Sequence, residues 1–125
     1  GMSLAPSKSI SRVKDGKIFG WSGSYNLTSS AVTLLNYTNP PFFYLTRITL
    51  GIDWSGISDG ETLSFTVNVD GQGLYTEKLV VTAAYNGFQP KMLEFMIPPN
   101  STVKIQAIES ANNGAMSCVL TGYRV

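Results

Sequence analysis

Along residues 62–69, Leu63, Phe65, Val67 and Val69 alternate with Thr62, Ser64, Thr66 and Asn68. A period of two sends successive side chains to opposite faces of an extended chain, so this segment reads as a strand with one dry and one wet face. A longer alternation runs through 42–54. Phe42, Tyr44, Ile48, Leu50, Ile52 and Trp54 fall on one face, Arg47, Thr49 and Asp53 on the other, and Gly51 is a place for a bend. Segments 18–25, 30–38, 74–83, 91–97, 102–109 and 115–125 follow the same pattern, which makes eight expected strands.

Turn formers separate them: Asp15-Gly16, Asn39-Pro40-Pro41, Asp59-Gly60, Asp70-Gly71-Gln72-Gly73, Asn86-Gly87, Pro98-Pro99-Asn100 and Asn112-Asn113-Gly114. No segment shows capped helical periodicity, and 81–85 is the one stretch where a helical turn is allowed. Strands with one apolar face bury it by packing sheet on sheet. The expected fold is therefore all-β, a two-sheet antiparallel β-sandwich with jelly-roll topology and about eight strands. An immunoglobulin-like sandwich fits the strand count less well, because the second and third connections are long. Residues 18–125 are expected as a single domain, preceded by 1–17 as a short basic arm or edge segment.

Composition narrows the chemistry. The 125 residues are 43% hydrophobic and only 14% charged, with no histidine and one cysteine, Cys118. A serine or cysteine nucleophile normally needs a histidine base, and Cys/His zinc sites need three or four such ligands, so both are excluded. Cys118, between Ser117 and Val119 in the last strand, is expected as a small buried residue rather than a reactive thiol. Gly71-Gln72-Gly73 lacks the third glycine of a dinucleotide fingerprint and leads into a strand. Gly20-Trp21-Ser22-Gly23-Ser24 lacks the second glycine of a nucleophile elbow. Calcium takes oxygen ligands, which leaves Asp53, Asp59 and Glu61 as weak candidates; their spacing is not that of an EF-hand and ordinary turns account for Asp59. Glu77, Glu94 and Glu109 are expected in surface pairs rather than as a glycosidase dyad. The reading is a chain with no cofactor that is not an enzyme.

Net charge is +1, but Lys8, Arg12, Lys14 and Lys17 stand against Asp15 alone in 1–17. Such an electrostatic arm reads first as a solvated N-terminus and second as a contact for phosphate or an acidic partner surface; its few charges are too sparse for nucleic acid, which is not expected as a partner. Gly1 before Met2 looks like a tag remnant, no apolar run of signal-peptide type follows, and no segment is long enough to span a membrane. The expectation is a soluble product of a cytoplasm, without membrane insertion. Trp21, Tyr25, Trp54, Tyr85 and Phe88 lie at strand ends beside Gly, Ser or Asn, where rings either stack on a sugar or partner or cap the ends of the sandwich.

The last third carries Ile97-Pro98-Pro99-Asn100-Ser101-Thr102-Val103-Lys104-Ile105, a polar hinge at 110–114, and Ser117-Cys118-Val119-Leu120-Thr121-Gly122-Tyr123-Arg124-Val125. This resembles the closing strands of small single jelly-roll proteins of viruses and bacteriophages, in which a proline-rich turn precedes one strand and the final strand carries a Gly-aromatic pair. A weaker likeness reaches the tumour-necrosis-factor and C1q-like jelly rolls. The resemblance implies a capsid, penton, decoration or spike protein located in the virion, forming a trimer or pentamer with itself and touching other virion proteins. The function expected is a non-enzymatic structural subunit of a phage or virus particle that assembles as a symmetric homo-oligomer through broad apolar strand faces. The alternative is a receptor- or carbohydrate-binding module that meets a host-surface glycan with its loop aromatics.

Overall fold

The computed structural model describes residues 10–82 and 91–125, with side chains from residue 13 onward. Among them are ten strands: β1 Ile10–Lys14, β2 Lys17–Trp21, β3 Tyr25–Asn26, β4 Val32–Thr38, β5 Tyr44–Asp53, β6 Thr62–Val69, β7 Gln72–Val80, β8 Lys91–Ile97, β9 Thr102–Glu109 and β10 Ala115–Arg124. One sheet runs β1-β2-β10-β5-β8, with β3 also paired to β10; the other runs β4-β9-β6-β7. All pairings are antiparallel. Leaving out the two short additions β1 and β3, each sheet alternates strands from the first and second halves of the chain. That is the double Greek key of a jelly roll, as the strand pattern and connection lengths led one to expect.

Ten strands rather than eight arise from two local causes. Asp15 and Gly16 both take positive φ, 52° and 73°, which is the two-residue turn whose twist suits a hairpin, so the segment before Lys17 folds back as the edge strand β1. Asp70 and Gly71 repeat this turn between β6 and β7, at 53° and 82°. The expected strand 18–25 is interrupted: β2 ends at Trp21, and Ser22 turns inward, its N–H donating to the Cys118 carbonyl at 2.9 Å while its Oγ accepts from the Cys118 N–H at 2.9 Å. The strand expected at 74–83 runs from Gln72 to Val80. Most of 81–85 and the Asn86-Gly87 turn lie outside the described residues.

Between the sheets lie Ile18, Leu35, Tyr37, Tyr44, Ile48, Leu50, Ile52, Leu63, Phe65, Val67, Ile97, Val103, Ile105, Met116, Cys118 and Leu120, the inward members of each alternation. Both proline-rich turns meet at one end of the sandwich. Buried Asn39 donates its Nδ2 to the carbonyls of Ile97 and Pro98, its own N–H donates to Ser101 O at 2.8 Å, and the Asn100 N–H donates to Pro40 O at 3.1 Å. The opposite end gathers the segments 22–31, 54–61 and 110–114, tied by Leu27 N–H to Gly114 O at 3.1 Å and Glu109 N–H to Thr28 O at 2.9 Å.

Candidate functional site

A strand whose apolar residues occupy only one parity is dry on one face. In the sheet β1-β2-β10-β5-β8, three strands carry apolar residues on both parities. Strand β2 buries Ile18 but turns Phe19 and Trp21 outward; β10 buries Met116, Cys118 and Leu120 but exposes Val119 and Tyr123; β8 points Leu93 and Phe95 inward and exposes Met92 and Met96. Register then sets these outward residues beside one another. Trp21 pairs with Val119, Val119 with Thr49, and Thr49 with Met92. One row further, Phe19 pairs with Thr121, Thr121 with Arg47, and Arg47 with Glu94. In the third, Lys17 pairs with Tyr123, Tyr123 with Leu45, and Leu45 with Met96.

The result is a largely apolar sheet face whose middle row carries Thr121 and an ion pair. Arg47 Nη2 lies 3.3 Å from Glu94 Oε2, both exposed. With strands about 4.8 Å apart and outward residues about 6.8 Å apart along each strand, the three rows cover on the order of 300 Å² of projected sheet. A shallow depression of about 300 Å³ lies on this face, lined in part by Lys17, Phe19, Leu45, Arg47, Glu94 and Tyr123. The outer face of the other sheet differs in kind. Its rows are Thr33, Gln106, Thr66 and Thr76, then Asn36, Lys104 and Asn68, with Ser64 beside Ile108 and Lys78. Its hydroxyls and amides are partly bonded to one another, Gln106 Nε2 to Thr33 Oγ1 at 3.2 Å and Thr66 Oγ1 to Thr76 Oγ1 at 3.3 Å. One outer face is thus mainly polar, with Leu74, Val80 and Ile108 as its exposed apolar residues, and the other carries the larger apolar cluster.

The residues singled out from sequence disperse. Trp21 is 40% exposed on the apolar face, whereas Trp54, 5% exposed, continues the inward parity of Ile48, Leu50 and Ile52 and caps the core. Tyr25 is half-buried and packs against the core, and Tyr85 and Phe88 lie outside the described residues. Trp21 and Trp54 therefore share no platform. Lys14 and Lys17 face each other across the first hairpin, both exposed, while Lys8 and the side chain of Arg12 lie outside the description. Among the calcium candidates, Asp53 accepts from the Ser55 hydroxyl at 2.7 Å and the Ser55 N–H at 3.0 Å, bonds that hold its carboxyl below the usual carboxylate range. Among the described residues no group of three or more acidic, cysteine or histidine side chains is placed to hold a metal.

The three strand carboxylates divide. Glu94 pairs with Arg47 and Glu77 with Lys91 at 2.9 Å, as their neighbours suggested. Glu109 is a correction: it is fully buried, not in a surface pair, because it sits on the inward parity of β9 where that strand reaches the loop end of the sandwich. Cys118 is buried, and burial pushes its thiol up to about 12, so it stays protonated and non-nucleophilic. The apolar face itself was legible in part. Apolar residues on both parities of 18–21, 91–97 and 115–125 signal strands that are covered, or meant to be covered, on both sides.

No known protein family matches the sequence, and no curated protein does. Solved structures do. Over 83% of its length the chain is similar to part of dimeric latent PorU from Porphyromonas gingivalis, with a TM-score of 0.51 and 12% identity, spanning 11% of that chain. It is also similar to infectious bursal disease virus proteins: the VP2 subviral particle (TM-score 0.48, 15% identity, 93% of this chain, 32% of that one) and the Gx strain (0.47, 15%, 93% and 36%). This chain thus spans about a tenth of the first and about a third of the viral chains. The first of these likenesses is one of fold, a β-sandwich of this size recurring inside a larger protein.

Proposed function

We propose that this chain is a non-enzymatic structural subunit of a virus or phage particle, and that it assembles as a symmetric homo-oligomer through the outer face of the sheet β1-β2-β10-β5-β8. The single observation that carries this reading is the clustering of exposed Phe19, Trp21, Val119, Tyr123, Met92 and Met96 in adjacent rows of one sheet face. Leaving such side chains in water forgoes roughly 25 cal/mol for each Å² that a partner would cover. The occupant this face fits is a second copy of the chain. Its central polar feature carries one charge of each sign, Arg47 beside Glu94, so two copies related by a two-fold axis place each arginine against the other's glutamate with apolar residues around them. An all-β body whose sheet order is that of a jelly roll supplies the rigid slab that such packing needs.

Sedimentation velocity of the full chain across a concentration series tests the reading. The wild type is expected to sediment as a discrete oligomer, and Val119→Glu combined with Met92→Glu is expected to convert it to a monomer that keeps the wild-type far-UV circular dichroism spectrum. A wild type that stays monomeric at millimolar concentration overturns the assembly role.

A further inference from the structure

At the loop end of the sandwich two carboxylates meet. Glu109 closes β9 with 0% exposure, and its Oε1 accepts the N–H of Ala111 at 2.8 Å and of Asn113 at 2.7 Å, wrapping the 110–114 loop around itself. Its Oε2 is buried and receives no donor. Glu61, at the end of the 54–61 loop, is in hydrogen-bonding contact with the Glu109 carboxyl. Asn113 Nδ2 spans both Glu61 oxygens, at 3.2 and 3.4 Å. The three segments that converge here, 27–31, 54–61 and 110–114, contain no lysine or arginine, and Asp59 is their one other titratable residue. Two carboxyl groups in contact without a counter-cation repel each other unless something positive lies between them.

We propose that Glu61, the buried Oε2 of Glu109 and the side-chain amide of Asn113 form a binding site for a hard divalent cation of the calcium class. All the donors are oxygens once the Asn113 amide is turned end for end, which suits calcium rather than zinc or copper. Partly exposed Glu61 leaves a side open for the waters that complete such a shell. The bound ion joins the 54–61 loop to the 110–114 loop and gives the buried Glu109 Oε2 a partner.

Calorimetric titration of CaCl2 into the EDTA-stripped full chain, paired with thermal melts in EDTA, MgCl2 and CaCl2, decides the matter. One site per chain is expected, in the sub-millimolar to millimolar range typical of few-carboxylate calcium sites, with a melting temperature raised by CaCl2 more than by MgCl2. Glu61→Gln should weaken binding at least about tenfold, and in EDTA it should melt at or above the wild type, since an amide gives Glu109 Oε2 its missing donor. Asn113→Asp, which adds a third carboxylate, should tighten binding by about tenfold. Equal CaCl2 responses in the wild type and Glu61→Gln overturn the site. So does the absence of any CaCl2 effect up to about 10 mM, well above the usual range; a wild-type melting temperature that then falls between pH 5 and 8, without a fall in Glu61→Gln, assigns the gap to a shared proton instead.

Discussion

Gly114 adopts a φ of +79°, and a Cβ built on it would lie 2.6 Å from Ile57 Cδ1. Conformation and space both exclude a side chain at the joint where the last loop enters β10. Gly114→Ala is expected to cost about 1–3 kcal/mol of unfolding free energy, read by urea denaturation. Gly122 marks a milder case inside β10. A Cβ there would approach Leu45 O and Thr46 Oγ1, each at 3.2 Å, so the glycine of the Gly-aromatic pair lets β10 lie close against β5. Cys118 supplies a second check at this scale. With its thiol buried and held protonated, it is expected to resist alkylation by iodoacetamide at pH 8 in the folded protein and to react fully in denaturant, as mass spectrometry would show.

Strands β7 and β8 are the outermost members of their two sheets, and at this side the inward face is not purely apolar. Tyr75 stacks toward Phe65 at 6.1 Å and meets Phe95 at 6.1 Å, while its hydroxyl donates to Glu77 Oε1 at 2.6 Å. Lys91 on β8 reaches the same carboxylate, joining one sheet to the other. The Tyr75 hydroxyl first, and then Lys91, hold the Glu77 carboxyl below the usual carboxylate range against the opposing pull of desolvation. A carboxylate depressed in the folded state contributes stability that is present above the unfolded-chain value, near 4.3, and is lost as pH falls through the lower folded value. Glu77→Gln is therefore expected to cost roughly 1 kcal/mol at pH 7 and progressively less as pH falls below about 4, compared by urea unfolding over that pH range. The pairing of Glu77 with a cation was legible from neighbouring lysines. Which lysine, and across which sheets, was not, because Glu77 and Lys91 meet only when β7 and β8 face each other through the fold.

For the whole molecule, the asymmetry between the two outer faces is the dominant feature. The face of β4-β9-β6-β7 is mainly Thr, Ser, Asn, Gln and Lys, with Leu74, Val80 and Ile108 exposed on it, whereas the face of β1-β2-β10-β5-β8 is mainly Phe, Trp, Val, Tyr, Met and Leu, with Lys17, two threonines and one ion pair among them. Assembly through the second face makes apparent stability depend on protein concentration, since a partner that binds only the folded chain stabilises it by mass action. The melting temperature of the wild type is expected to rise with concentration, whereas that of Val119→Glu with Met92→Glu stays flat; differential scanning fluorimetry over a hundredfold range distinguishes the two. Trp21 belongs to this surface and Trp54 to the core, so a tryptophan fluorescence change on dilution is expected to report Trp21.

Alternation of polar and apolar residues determined by itself that the chain is all-β, and the β8, β9 and β6 boundaries follow from it directly, because side-chain parity is a local property of an extended backbone. Turn chemistry at Asp15-Gly16 and Asp70-Gly71 was equally local. Absence of histidine and of a second cysteine excluded whole classes of chemistry without any fold. What only the tertiary structure decided is which residues from distant strands become neighbours. Phe19, Val119, Leu45 and Met92 form one face because of sheet order and register, Glu61 and Glu109 meet because separate loops converge at one end, and Trp54 is buried because its strand carries inward parity one residue past its end. Parity says that a side chain has a face; the packing of two sheets says whether that face meets water, core or another chain.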